Sequence, residues 1–169
     1  MDMAWIGCLD SGVDALERRC SREEEGRLAS WKNSAVIHSP ADRVFAYVDD
    51  PANLPVWLPS IVEVRGVIGT GAGQQFEWTA KMAGLLLRGQ TTVIEHVPNE
   101  HGVHQSIGTV HCTFGYTVEP NHEGTTLILE IDYSVPVPVL GRLAEHVLIK
   151  RNVREFELGL ATIKETLEA

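Results

Sequence analysis

The residues able to do chemistry in this chain are few, and most of them are acceptors or donors rather than acids, bases or nucleophiles. Gln105, Tyr116 and Tyr133 fall within alternating apolar runs, where a phenol or amide can anchor a ligand carbonyl. Gln90 shares one face of a strand with Arg88, Thr92 and His96. That face is a polar wall if concave and a solvated strip if convex. A cyclase or dehydratase would need a general acid or base beside an enolisable carbonyl. The ionisable residues Glu77, Lys81, Glu119, Glu130 and Asp132 alternate with the aromatic ones and are expected outside. His101 and His104 flank a turn, and His104 and His111 cannot be paired without a strand register. A metal site needs three or four convergent ligands, and none is expected. Cys112 lies in phase with Phe114 and Tyr116, as a packing thiol would. No Ser sits in a Gly-x-Ser-x-Gly elbow. Any enzyme here would therefore act without metal, cofactor or covalent nucleophile.

The elements that hold these residues follow from periodicity. Ser34 to His38 predicts a strand. Ser39-Pro40-Ala41-Asp42 supplies an N-cap, a Pro at the first helical position and an early acid. A helix presenting Val44, Phe45 and Val48 is expected to run to Asp49, and Asp50-Pro51 starts a second short helix that reaches Trp57. From Ile61 the period becomes two. Phe76, Trp78, Ala80 and Met82 share a face, and so do Cys112, Phe114, Tyr116 and Val118. Leu127, Leu129, Ile131 and Tyr133 make a third such set. Gly69 to Gly73 is a turn rather than a phosphate loop, because strand pattern follows it and no helix does. The short connections imply an antiparallel meander.

Val139 to Ala169 reads as one long amphipathic helix, with Ile149, Val153, Phe156, Leu160, Ile163 and Leu167 on one stripe. Nothing but strands precedes it between Ile61 and Ser134, so it must lie on a sheet. The expected fold is α+β: a seven-stranded antiparallel curved sheet around a long C-terminal helix, with two short helices after the first strand. Such a sheet can leave a cavity that one helix does not fill. Its lining is expected to draw on Trp57, Phe76, Trp78, Met82, Phe114, Leu129, Ile131, Leu143 and Val147, beside the polar anchors. A solid core made by the same aromatic residues is the alternative.

The chain has 169 residues and a formal net charge of −9, enough for one domain and poorly suited to a nucleic-acid surface. No apolar run is long enough for stable membrane insertion. Three widely spaced cysteines without a Cys-x-x-Cys argue against a disulfide framework and for a cytoplasmic, reducing setting. Residues 1–31 are expected to be an N-terminal extension, partly helical through Trp5, Leu9, Val13, Leu16 and Cys20 or poorly ordered. Residues 32–169 are the domain proper, acting as a monomer or homodimer.

The run Ile37-His38-Ser39-Pro40-Ala41-Asp42-Arg43-Val44-Phe45, continued through Asp49-Asp50-Pro51 to Val56-Trp57-Leu58-Pro59, resembles the opening of the polyketide cyclase/dehydrase group in the START-like, helix-grip superfamily. Gly73 to Trp78, Gly84, Val93 to Pro98, Val118-Glu119-Pro120 and Gly124-Thr125-Thr126 resemble its later landmarks. The resemblance implies a helix-grip fold with a hydrophobic cavity between sheet and long helix. It transfers no catalytic signature, because the superfamily includes carriers, quinone-binding proteins, cyclases and hydrolases. Three readings stay open: a protein that binds a small hydrophobic molecule such as a lipid, quinone or polyketide-like compound, a cyclase or dehydratase using a cavity acid or base, and a protein-interaction module with a residual cavity.

Overall fold

A computed structural model describes residues 27–82, 84–109, 111–134 and 142–169. The extension's expected helix and the Val139 start of the long helix lie outside them. The first strand, β1, runs Arg27–Ile37 and so begins seven residues before Ser34. Its extra length has a partner: Trp31 pairs with Ile131 and Ala29 with Tyr133 on the last strand.

Helix α1 spans Ala41–Asp49 and buries Val44, Phe45 and Val48, the expected face. Its start differs from the reading of Ser39 as a side-chain cap. Pro40 occupies the cap position and offers no side-chain cap, and the first turn's side-chain bond comes from within it, Asp42 Oδ1 accepting from Arg43 N at 2.9 Å. Ser39 is instead held by its backbone, whose carbonyl accepts from Thr125 Oγ1 at 2.7 Å. Asp50 does cap, its Oδ1 accepting from Ala52 N at 2.9 Å. One tight turn, Pro51–Asn53, then leads into the short α2, Leu54–Trp57.

Six strands follow: β2 Ile61–Ile68, β3 Gln75–Met82, β4 Leu85–Val97, β5 His101–Gly108, β6 His111–Asn121 and β7 Gly124–Ser134. All neighbours are antiparallel, in the order β1-β7-β6-β5-β4-β3-β2. The chain thus lays a meander from β2 at one edge to β7, whose free side seats β1. The curved sheet grips the long helix α3, Arg142–Glu168, whose 27 residues span about 40 Å at 1.5 Å each. Two short helices after the first strand complete the helix-grip fold. Among the described residues no helix is long and apolar enough to cross a membrane.

Toward its C-terminal end α3 buries Leu160, Ile163 and Leu167 in one core cluster with Ile37, Val44, Val48, Val118 and Leu127. Polar ties fix the same end. Glu168 accepts from His38 N at 2.8 Å and contacts its Nδ1 at 2.7 Å, and Lys164 Nζ donates to the Val36 carbonyl. These donors hold the Glu168 carboxyl below the usual carboxylate range, the His38 backbone N–H most of all. One turn before Leu160, Phe156 faces Trp31, Trp57 and Phe114 at ring-centroid distances of 5.7, 6.1 and 5.6 Å.

Candidate ligand-binding site

Strand register builds the site as rungs across the concave face. Phe76 pairs with Thr91, Thr91 with Ser106, Ser106 with Cys112, and Cys112 with Tyr133. The next rung runs Val93, His104, Phe114 and Ile131. Between these rungs, the cap supplied by Trp57 and Leu58, and Phe156 of α3 lies a cavity of about 110 Å³. Its far end is lined by Ala80, Met82 and Leu87, with Ile61 from β2. Trp78 lies over Gly89 of the neighbouring strand, where a Cβ would meet the indole ring, and so fits a bulky ring into the wall without lifting the strand.

The wall is apolar with a small polar inset. Thr91 Oγ1 and Ser106 Oγ share a 2.6 Å hydrogen bond. Burial pushes the Cys112 thiol up to about 11, with Ser106 pulling the other way, so this thiol is inert as a nucleophile at neutral pH. The Tyr133 hydroxyl is likewise raised, by burial first and then by Cys112 and Glu155. His104 is 5% exposed and boxed edge-on by Phe76, Phe114 and Tyr116 at 6.3, 5.8 and 5.6 Å. Desolvation lowers its pKa to about 4 against the opposing pull of Asp49, with His96 adding to the lowering. The imidazole is therefore uncharged at neutral pH.

Behind His104 a second polar group ties sheet to helix. The Tyr116 hydroxyl donates to Asp49 Oδ1, and His96 Nε2 lies 3.1 Å from Asp49 Oδ2. His96 reaches this position because β4 shifts register between Val93 and Glu95, a bulge that turns it off the face of Arg88 and Gln90.

Of the residues expected to line a ligand, Trp57, Phe76, Trp78, Met82, Phe114, Ile131 and Tyr133 border the cavity. Tyr116 and Leu129 are buried on the rung beyond it, Tyr116 engaged by Asp49. Gln90 and Gln105 do not face it: both are exposed on the convex side, Gln90 opposite Glu77 and Gln105 opposite Thr113. The side chains of Leu143 and Val147 lie outside the described residues. Val103 and Ile107 share the phase of Gln105 on β5, so alternation alone gives the wrong inner face. The register instead sets His104 against the buried Phe114, so the face of Gly102, His104 and Ser106 points inward. Thr91, Ser106 and Phe156 also border the cavity. Phe156 was legible as helix stripe, whereas the other two needed the register. Among the described residues no three His, Cys, Asp or Glu side chains come together as a metal site.

A family model described as polyketide cyclase / dehydrase and lipid transport matches residues 29–168. The chain belongs to that family. No curated protein matches it. Solved structures share the family fold at low identity. A protein from Thermus thermophilus is 21% identical, with a TM-score of 0.71 over 82% of this chain and 97% of that one. The Zhui aromatase/cyclase from Streptomyces sp. R1128 is 16% identical, with a TM-score of 0.67 over 83% and 96%. The di-domain ARO/CYC StfQ from the steffimycin biosynthetic pathway is 17% identical, with a TM-score of 0.72 over 92% of this chain and 56% of that one. At these identities the likeness concerns the fold.

Proposed function

We propose that the protein binds a small hydrophobic molecule between its sheet and its C-terminal helix. The observation that carries this reading is the apolar gap of about 110 Å³ bounded by Trp57, Phe114 and Phe156. Membership of a family described by cyclase, dehydrase and lipid-transport members agrees with it. The gap is smaller than the ~300–1,000 Å³ of drug-sized sites and nearer the ~150 Å³ apolar cavity that takes benzene. It suits a body of about one ring, and a lipid or fused polyketide needs more room than this gap provides. The free Cys112 thiol suits a reducing, cytoplasmic setting. Native mass spectrometry of the purified chain, followed by melting curves with lipids, quinones and small aromatic compounds, tests the reading. A melting temperature unmoved by all of them, with no copurifying small molecule, sinks it.

A second reading, a cyclase or dehydratase, draws on His104, the one imidazole among the described residues of the wall. Held as the free base, it can accept a proton. A pKa near 4 makes it a weak base, suited to a C–H already acidified by a hydrogen-bonded carbonyl. Turnover lost in His104→Gln with ligand binding kept would favour this reading.

A further inference from the structure

Three buried polar atoms without a hydrogen-bond partner, Trp57 Nε1, His104 Nε2 and the Tyr133 hydroxyl, belong to side chains that border the cavity. Thr91 and Ser106, on the same wall, satisfy each other. None of the three atoms is open to the empty space, and a buried polar atom left unpaired costs about 1–3 kcal/mol, so a guest whose entry turns these side chains toward it gains by pairing with them. Their chemistry is not symmetric. An indole N–H can only donate, a phenol can donate, and a neutral imidazole donates from one of its nitrogens. What they can share is an acceptor.

Charge narrows the guest further. None of the described residues around the cavity is Asp, Glu, Lys or Arg. The nearby carboxylate, Glu155, accepts from Ser60 N and acts on Tyr133 with a field that opposes a second negative charge. An anion entering here would shed its water and meet no cation among the described residues in exchange.

We infer that the cavity selects an uncharged molecule of about one aromatic ring bearing an accepting oxygen, such as an aryl ketone, and discriminates against both the matching hydrocarbon and the matching carboxylate. This rests on the ligand-binding reading and adds a polar preference to it. The test is calorimetric titration of the full chain at neutral pH with acetophenone, ethylbenzene and benzoate. Acetophenone is expected to bind about tenfold more tightly than ethylbenzene, as one recovered hydrogen bond would give. Benzoate is expected to give no binding. Tyr133→Phe and Trp57→Phe each remove one donor and should narrow the acetophenone preference while ethylbenzene still binds. Equal affinity for acetophenone and ethylbenzene, tight binding of benzoate, or a preference unchanged in both variants overturns the selectivity and leaves an apolar binding site. Silence from acetophenone and ethylbenzene alike overturns the binding reading and this inference together.

Discussion

Tyr116 and Asp49, 67 residues apart, are joined by a hydrogen bond from the phenol to the carboxylate. The contact links the middle of β6 to the last residue of α1, and His96 approaches the other carboxylate oxygen. A bond to a charged acceptor contributes about 1.5–3 kcal/mol, reduced here because Asp49 keeps partial exposure. Tyr116→Phe keeps the ring contacts with Phe45 and His104 and removes only the donor. Urea unfolding should report a loss of about 1–2 kcal/mol. A variant within roughly 0.5 kcal/mol of wild type, the size of an ordinary surface change, would show the bond to be idle.

His104 gives the fold an acid sensitivity whose sign is fixed by burial. Its pKa falls from 6.5 in the unfolded chain to about 4 in the folded one. Between those values the unfolded chain binds the extra proton, so stability is unaffected by this group above 6.5 and falls as pH drops toward 4. The groups facing it are Asp49, His96 and the ring of Tyr116. At about 1.36 kcal/mol per unit the loss approaches ~3 kcal/mol. His104→Leu should flatten the stability curve over that window. Parallel curves for the two proteins would contradict it.

Gly159 brings α3 against the capping Trp57. A Cβ at this position would lie 2.6 Å from the Trp57 carbonyl oxygen and 3.0 Å from ring atom Cε3. Because one neighbour is backbone, the clash cannot be relieved by a side-chain rotation alone. Gly159→Ala should push α2 and α3 apart at a cost of about 1–3 kcal/mol, despite the better helix propensity of Ala. A variant that melts above wild type would mean that this contact is looser than the geometry requires.

What was legible in the sequence and what was not divides along one physical line. The meander from Ile61 onward, the two short helices and the C-terminal helix follow from local period and turn chemistry, whereas the seat of β1 beside β7 does not, and Phe76, Phe114 and Tyr133 sit inward because their neighbours alternate cleanly. His104 was hidden because β5 carries Val103 and Ile107 in the other phase, and Ile107 proves 57% exposed. Only pairing with Phe114 decides which face is inner. His96 was hidden by a bulge, a one-residue change of phase that alternation cannot register. Inward polar residues therefore needed the register, whereas inward aromatic ones did not.

The space beside Ala80 can be filled. Ala80 is 3% exposed and packs with Met82, Leu87, Ile61 and Trp78 at the cavity's far end. Ala80→Leu adds three carbons that can enter the gap, and each buried methylene contributes about 0.8 kcal/mol where no overlap opposes it. Stability should hold or rise by up to about 2 kcal/mol, while the affinity for acetophenone and ethylbenzene drops at least tenfold. That pairing separates a cavity from a packed core. In a packed core the same substitution costs about 1–3 kcal/mol through forced rotamers. A destabilised Ala80→Leu whose ligand affinities match wild type would show that the guest does not occupy this space.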